Sequence, residues 1–208
     1  MFEDLNLSLI LGAGLIATAS PGPSTIAIAS ASMSGGRALG FRLASGIMCG
    51  SLIWSLSAAF GLAAVMLAHA WLFEVLRYAG AAYLLYLAFR SARSALSSGS
   101  TGLSSRPAPT PRRAFMTGLL MHLTNPKAIL FFGALYSVGL PQGVSTQMLL
   151  VVVLLVAAQS AAIFFGYATL FSNPRAVSVY TRLKRWFEAT FALAFGYAGL
   201  KLLTARLQ

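Results

Sequence analysis

Apolar residues dominate the chain in long runs separated by short polar connectors. The runs fall at 7–31, 39–67, 71–89, 114–140, 146–171 and 186–203. A helix needs roughly 20 residues to cross a bilayer, and each run meets or nearly meets that length. The pattern predicts an all-α integral membrane protein with about six transmembrane helices. The second run is long enough to tilt, or to contain a kink near Gly46 and Gly50.

Two of the runs are interrupted. The first holds Ala19-Ser20-Pro21-Gly22-Pro23-Ser24-Thr25, and the fourth holds His122-Leu123-Thr124-Asn125-Pro126-Lys127. Proline removes a backbone donor and opens the helix around it. In hydrocarbon the freed carbonyls, such as those of Ala17 and Ala19, need partners that protein, water or a ligand must supply. A shift of about 105 residues lays the first three runs over the last three and Pro21 over Pro126. An odd number of spans per half gives the halves opposite orientation. The expectation is two inverted three-helix repeats, 1–93 and 114–208, joined by a Ser/Pro/Gly-rich cytoplasmic linker at 94–113. Together they form a single transporter domain over 1–208. Paired proline breaks at corresponding depths point to a transporter's central site. The match rests on hydropathy and on the two breaks, since residue identity between the halves is negligible.

Composition agrees with this reading. The chain has 208 residues, is 58% hydrophobic and 9% charged, and has a mean hydropathy of +0.77; soluble domains carry about 25% charged residues. The formal charge of +11 reflects basic connectors rather than a nucleic-acid surface, so no nucleic-acid partner is expected. Arg37 and Arg42 flank the first connector, Arg90, Arg93, Arg106, Arg112 and Arg113 the third, and Arg175, Arg182, Lys184 and Arg185 the fifth. The second connector, around His69, and the fourth, Pro141-Gln142-Gly143, have no Lys or Arg. The positive-inside rule then puts the basic connectors in the cytoplasm and both termini outside, with Lys201 and Arg206 counting mildly against. The acidic start, Met1-Phe2-Glu3-Asp4, lacks the basic region of a signal peptide, so the first run is expected to be retained. A lone cysteine, Cys49, excludes an intramolecular disulfide.

Lys127 is the charged residue that needs explaining. It lies near the middle of its run, roughly 20 Å from either end at 1.5 Å per residue, too far for its stem to reach water fully. A lysine at mid-bilayer costs about 2.5–3.5 kcal/mol on insertion scales, so it should face a wet cavity or a partner. The competing reading has it anchored at the interface. Pro126 frees the His122 carbonyl and Asn125 adds an amide, giving a polar patch able to hold a carboxylate. In the first break Ser20, Ser24 and Thr25 supply hydroxyls, and a half-helix starting near Pro23 would turn its positive end toward an anion. Packing kinks satisfied by neighbouring helices are the alternative. Ser20, Pro21, Gly22, Pro23, Ser24, Thr25, Asn125, Pro126 and Lys127 are therefore the candidate substrate-binding residues.

His122 and Glu74 are candidates for proton coupling. His122 reads equally as a buried, hydrogen-bonded histidine, and Glu74 as the partner of Arg77 on one helix face. Glu188 follows Lys184 and Arg185 closely enough to pair there. Gly46 and Gly50 give a close-packing spacing that permits a homodimer without requiring one. Tyr83, Tyr86 and Tyr167 read as packing or interface residues. There is no enzyme motif, no metal-ligand cluster and no expected cofactor.

The sequence resembles the lysine-exporter superfamily, in particular its threonine/homoserine-resistance branch of amino-acid exporters. The resemblance is carried by Ala19-Ser20-Pro21-Gly22-Pro23-Ser24, by Gly36-Arg37-Ala38-Leu39-Gly40-Phe41 with Gly46 and Gly50, and by Gly80-Ala81-Ala82-Tyr83-Leu84-Leu85-Tyr86-Leu87. It continues through Phe115-Met116-Thr117-Gly118-Leu119-Leu120 and Asn125-Pro126-Lys127-Ala128-Ile129-Leu130-Phe131-Phe132, and covers most of the chain. It implies a multi-pass bacterial inner-membrane exporter of amino acids or close derivatives, driven by proton antiport, with Pro21, Gly22, Pro23, Asn125, Pro126 and Lys127 at the site. The near absence of intramembrane carboxylates adds the expectation of neutral cargo, such as threonine or homoserine, rather than lysine or arginine. The sequence departs from the family's pattern at His122, where an asparagine-like residue is usual, and at Glu188, where acids are usually avoided. The alternatives are a membrane scaffold without cargo and, last, a small-cation or metal exporter.

Overall fold

The computed structural model describes residues 6–68, 70–96, 110–141 and 143–204; the side chains of 62–68, 70–74, 76, 77, 126, 138, 201 and 202 lie outside that description. Also outside it are Glu3, Asp4, His69, Gln142, Arg206 and linker residues 97–109. The described residues form seven helices and no strand: α1 (Leu7–Ala19), α2 (Pro23–Ala68), α3 (Ala70–Leu96), α4 (Pro111–Leu123), α5 (Pro126–Gly139), α6 (Thr146–Leu170) and α7 (Pro174–Thr204).

The helix starts follow from local chemistry. α2, α4, α5 and α7 each open on a proline, at the position where its missing N–H costs no intrahelical bond. Asn6, Thr110, Asn125 and Ser145 cap α1, α4, α5 and α6 through side-chain oxygens that accept a first-turn N–H. The two interrupted runs become the broken pairs α1–α2 and α4–α5, with breaks at 20–22 and 124–125.

α2 is not one straight rod. Gly36 has φ 73 and ψ −176, a backbone conformation open essentially to glycine alone. The chain reverses there, because Gly40 comes back to pack against Ser32, eight residues earlier, which a continuous helix would hold about 12 Å away. The reversal falls in the polar connector between the first two apolar runs. The kink looked for near Gly46 and Gly50 is absent: both are helical, and they serve packing instead.

Neighbouring helices lock through small residues. A Cβ on Gly46 would overlap the Phe115 carbonyl, and one on Gly118 the Leu43 carbonyl, so residues 37–68 and α4 run side by side in the same direction at backbone contact. The Gly46/Gly50 face is thus occupied within the chain. α3 and α7 run antiparallel, with Gly199 against Ala81 and Leu85, and Ser94 bonded to Glu188. α6 runs back along the start of 37–68, with Ala168 beside Gly40 and Phe165 edge-on to Phe41. These directions gather the Gly36 reversal, the C-terminal end of α3, the start of α4 and the 171–173 turn at one end of the bundle. Arg37, Arg42, Arg90, Arg93, Arg112, Arg113, Arg175, Arg182, Lys184 and Arg185 lie toward that end.

The interior holds two apolar clusters. One is built around Ile10, Phe131, Phe132, Tyr136, Val152, Val153, Val156 and Phe195, the other around Ile28, Leu43, Ala44, Ile47, Phe164 and Ala168. The outside is apolar as well: Phe89, Leu154, Trp186, Leu193 and Tyr197 all stand mostly exposed. An apolar outer surface on this scale suits hydrocarbon rather than water. By length and composition, Thr146–Leu170 is able to cross a membrane, as is the part of Pro23–Gly61 that follows the Gly36 reversal, while Leu7–Ala19 and Lys127–Ser137 are apolar but shorter, as broken halves must be.

Candidate functional site

The two breaks meet. Ser24, in the first turn of α2, shares a hydrogen bond of 3.1 Å with Nδ1 of His122 at the end of α4 and accepts a long one of 3.5 Å from Asn125 Nδ2. From the first turn of α5, Lys127 Nζ donates to the Ser20 carbonyl at 3.3 Å and to the Ser20 hydroxyl. Its ammonium also stands 5.8 Å from the ring centroid of Phe195 on α7, within cation–π range.

Each break satisfies the backbone groups it frees. The Ala17 carbonyl accepts from Ser20 Oγ at 2.9 Å, and the Ala19 carbonyl accepts from the Tyr167 hydroxyl at 2.6 Å. Gly22 N–H donates to Thr25 Oγ1 at 2.8 Å, and the Thr25 hydroxyl donates to the Gly22 carbonyl at 3.1 Å. In the second break the His122 carbonyl accepts from Asn125 N–H at 3.2 Å, and Asn125 Oδ1 caps α5 by accepting from Lys127 N–H at 3.0 Å. Asn125 thus holds open the turn from which Lys127 projects. Gly22 leaves room for that side chain, since a Cβ there would sit 3.4 Å from Lys127 Nζ.

Two cavities adjoin this junction and share Ser20, Gly22, Thr25 and Lys127 as lining. The larger, about 130 Å³, is polar and reaches α3 and α7 through Arg90, Ser94, Tyr180, Lys184 and Glu188. The smaller, about 40 Å³, is mostly apolar, with Phe131, Phe132 and Phe164 around His122 and Asn125. His122 is buried, and its Nε2 has no hydrogen-bond partner among the described residues.

Of the residues singled out from sequence, Ser20, Pro21, Gly22, Ser24, Thr25, Asn125 and Lys127 all line one or both cavities, and Pro23 and Pro126 open the helices that carry them. His122 joins them. Glu74 lies in α3, but its side chain is outside the description, as is that of Arg77.

This arrangement of paired breaks accompanies a family match. The family profile described as LysE type translocator matches residues 15–206. The chain belongs to that family. Among relatives of this LysE type translocator, the threonine efflux protein of Escherichia coli (strain K12) is 30% identical over 197 residues, which cover 92% of this chain and 94% of that one. The threonine efflux protein of Salmonella typhi is 29% identical over 194 residues, 92% and 94% of the two chains. An uncharacterized membrane protein of Pseudomonas aeruginosa is 31% identical over 194 residues, 90% and 89% of the two chains. No solved structure matches.

Sequence reasoning left several cavity residues of the translocator outside the candidate site. Tyr167, read as packing, donates to a freed carbonyl in the first break. Arg90 and Lys184, read as topology signals, line the larger cavity. Glu188, read as a local ion-pair partner, is only 6% exposed and accepts from Ser94 Oγ at 3.0 Å on the cavity wall. The signal that finds Tyr167 is the need for a donor at each carbonyl a proline frees; Glu188 has no comparable local signal.

Proposed function

We propose that the chain is an inner-membrane exporter of small neutral amino acids, with threonine or homoserine as the model cargo, working by proton antiport. Six spans in two inverted three-helix repeats are the architecture we attach to it. The first repeat would be α1 with residues 23–35, then 37–68, then α3; the second would be α4 with α5, then α6, then α7. The two broken pairs then stand at corresponding places, as transporter repeats with a central site require. The basic end of the bundle would face the cytoplasm and both termini the outside.

One observation carries the site assignment: the Lys127 ammonium rests on neutral Ser20 oxygens where the two breaks meet, beside a polar cavity. A carboxylate offers that ammonium a stronger, charge-assisted partner, so an amino acid's carboxylate would displace Ser20. His122, buried with one ring nitrogen on Ser24 and the other unpartnered, is the proposed proton carrier. The threonine efflux proteins among the relatives point to the cargo class.

The test is efflux from cells loaded with threonine- or homoserine-containing dipeptides. Overexpression should raise efflux, and a protonophore should abolish the increase. His122→Ala, accumulating normally, should transport with little response to the pH gradient. No increase in efflux or counterflow across an amino-acid panel would leave the scaffold reading in its place.

A further inference from the structure

We infer that Glu188 is the subsite for the cargo's α-ammonium, so that Lys127 and Glu188 together read an amino acid as a zwitterion. The inference rests on the exporter reading above and adds to it a group that discriminates free amino acids from derivatives lacking the ammonium.

The two residues line one cavity from different helices, Lys127 from α5 and Glu188 from α7. Each has a described neutral hydrogen-bond partner: Ser20 for Lys127, and Ser94 Oγ, at 3.0 Å, for Glu188. Lys127 is located against α7 by Phe195. Phe195 and Glu188 are seven residues apart, about 10 Å along the helix. Glu188 thus stands two turns from the point where Lys127 meets α7, on the wall of the same cavity.

The charges around it fit the same cargo. Glu188 is the acidic residue described on the cavity wall, while Glu3, Asp4 and the Glu74 side chain lie outside the description. Glu188 takes a hydrogen bond from the neutral Ser94 hydroxyl, and an incoming ammonium would add an ion pair to it. Arg90 on α3 and Lys184 on α7 are the other charged lining groups, with Tyr167 and Tyr180 beside them. Lys127, Arg90 and Lys184 line the same cavity and would repel a cationic side chain, so the subsite favours neutral amino acids over lysine or arginine.

The experiment is counterflow in proteoliposomes, with labelled threonine competed by unlabelled threonine, N-acetylthreonine and the 2-hydroxy analogue in which the amino group is replaced. Wild-type protein should favour threonine over both analogues by about tenfold or more, the effect of one charge-assisted hydrogen bond. Glu188→Gln should weaken threonine by about the same factor while changing the analogues by less than about threefold, so that the preference disappears. Glu188→Asp should restore part of it. A general structural role would depress all three ligands alike. If Glu188→Gln fails to accumulate, Ser94→Ala and Glu188→Asp carry the test, and both must lose part of the preference. Retained preference in the variants overturns the subsite alone. Wild-type counterflow that is indifferent to the ammonium does the same, whereas absence of counterflow with any amino acid overturns the exporter reading and the subsite with it.

Discussion

The two helix breaks solve the same problem by different means. The first, at Ser20–Thr25, has two prolines and a glycine, and its freed groups are satisfied by short hydroxyl side chains close by in sequence and by Tyr167 from α6. The second has a single proline, and Asn125 alone both takes up the freed His122 carbonyl and caps the next helix. The first break is neutral and presents a carbonyl, a hydroxyl and a gap at Gly22. The second contributes the charge, and Lys127 crosses to the first. In the proposed site the first break is a polar cradle and the second carries the group that would meet the cargo carboxylate.

That asymmetry sets the order of expected effects. Lys127→Ala, at unchanged membrane abundance, should lower threonine efflux by about a hundredfold, since the charge-assisted bond to the carboxylate is lost. Ser20→Ala should lower it by about tenfold or less, because the Ser20 carbonyl still holds Lys127; equal losses in the two variants would erase the distinction between the jaws. Next in size, Tyr167→Phe leaves the Ala19 carbonyl without its donor. It should cost about 1–3 kcal/mol of stability, read as a drop in apparent Tm in detergent, with efflux largely kept. Asn125→Ala should cost about 1 kcal/mol as a lost helix cap, and Asn125→Ser should recover most of it. The smallest effect is expected for Gly22→Ala. Gly22 is buried, and its added methyl would meet the far end of the flexible Lys127 side chain at 3.4 Å, which can give slightly, so efflux should stay within about twofold of wild type, about 0.4 kcal/mol. A large loss there would mean that the gap at Gly22 is itself part of the cargo site.

Much of this site could be read from the sequence, for a physical reason. Proline breaks inside apolar runs stand out against their surroundings, and a spacing of about 105 residues pairs Pro21 with Pro126. Lys127 stood out because a mid-run ammonium demands a partner. Glu188 did not, because Lys184 and Arg185 one turn away offer a local explanation for it. Its partner Ser94 and its place in the cavity depend on how α3 packs along α7. Tyr167 was equally hidden, since its bond to Ala19 joins residues 148 apart in the chain. The glycines were recognisable as close-packing residues, but the sequence did not separate their tasks. Gly46 admits the α4 backbone, whereas Gly36 reverses the chain through a positive φ.

The pairing of a neutral cradle with one decisive charge is tested most directly by counterflow of labelled threonine into proteoliposomes preloaded with unlabelled threonine, comparing wild-type and Lys127→Ala protein at equal reconstituted amounts. Wild-type vesicles should accumulate label transiently, and Lys127→Ala vesicles should stay at the level of empty liposomes. Equal accumulation by the two proteins would contradict a carboxylate site built on Lys127.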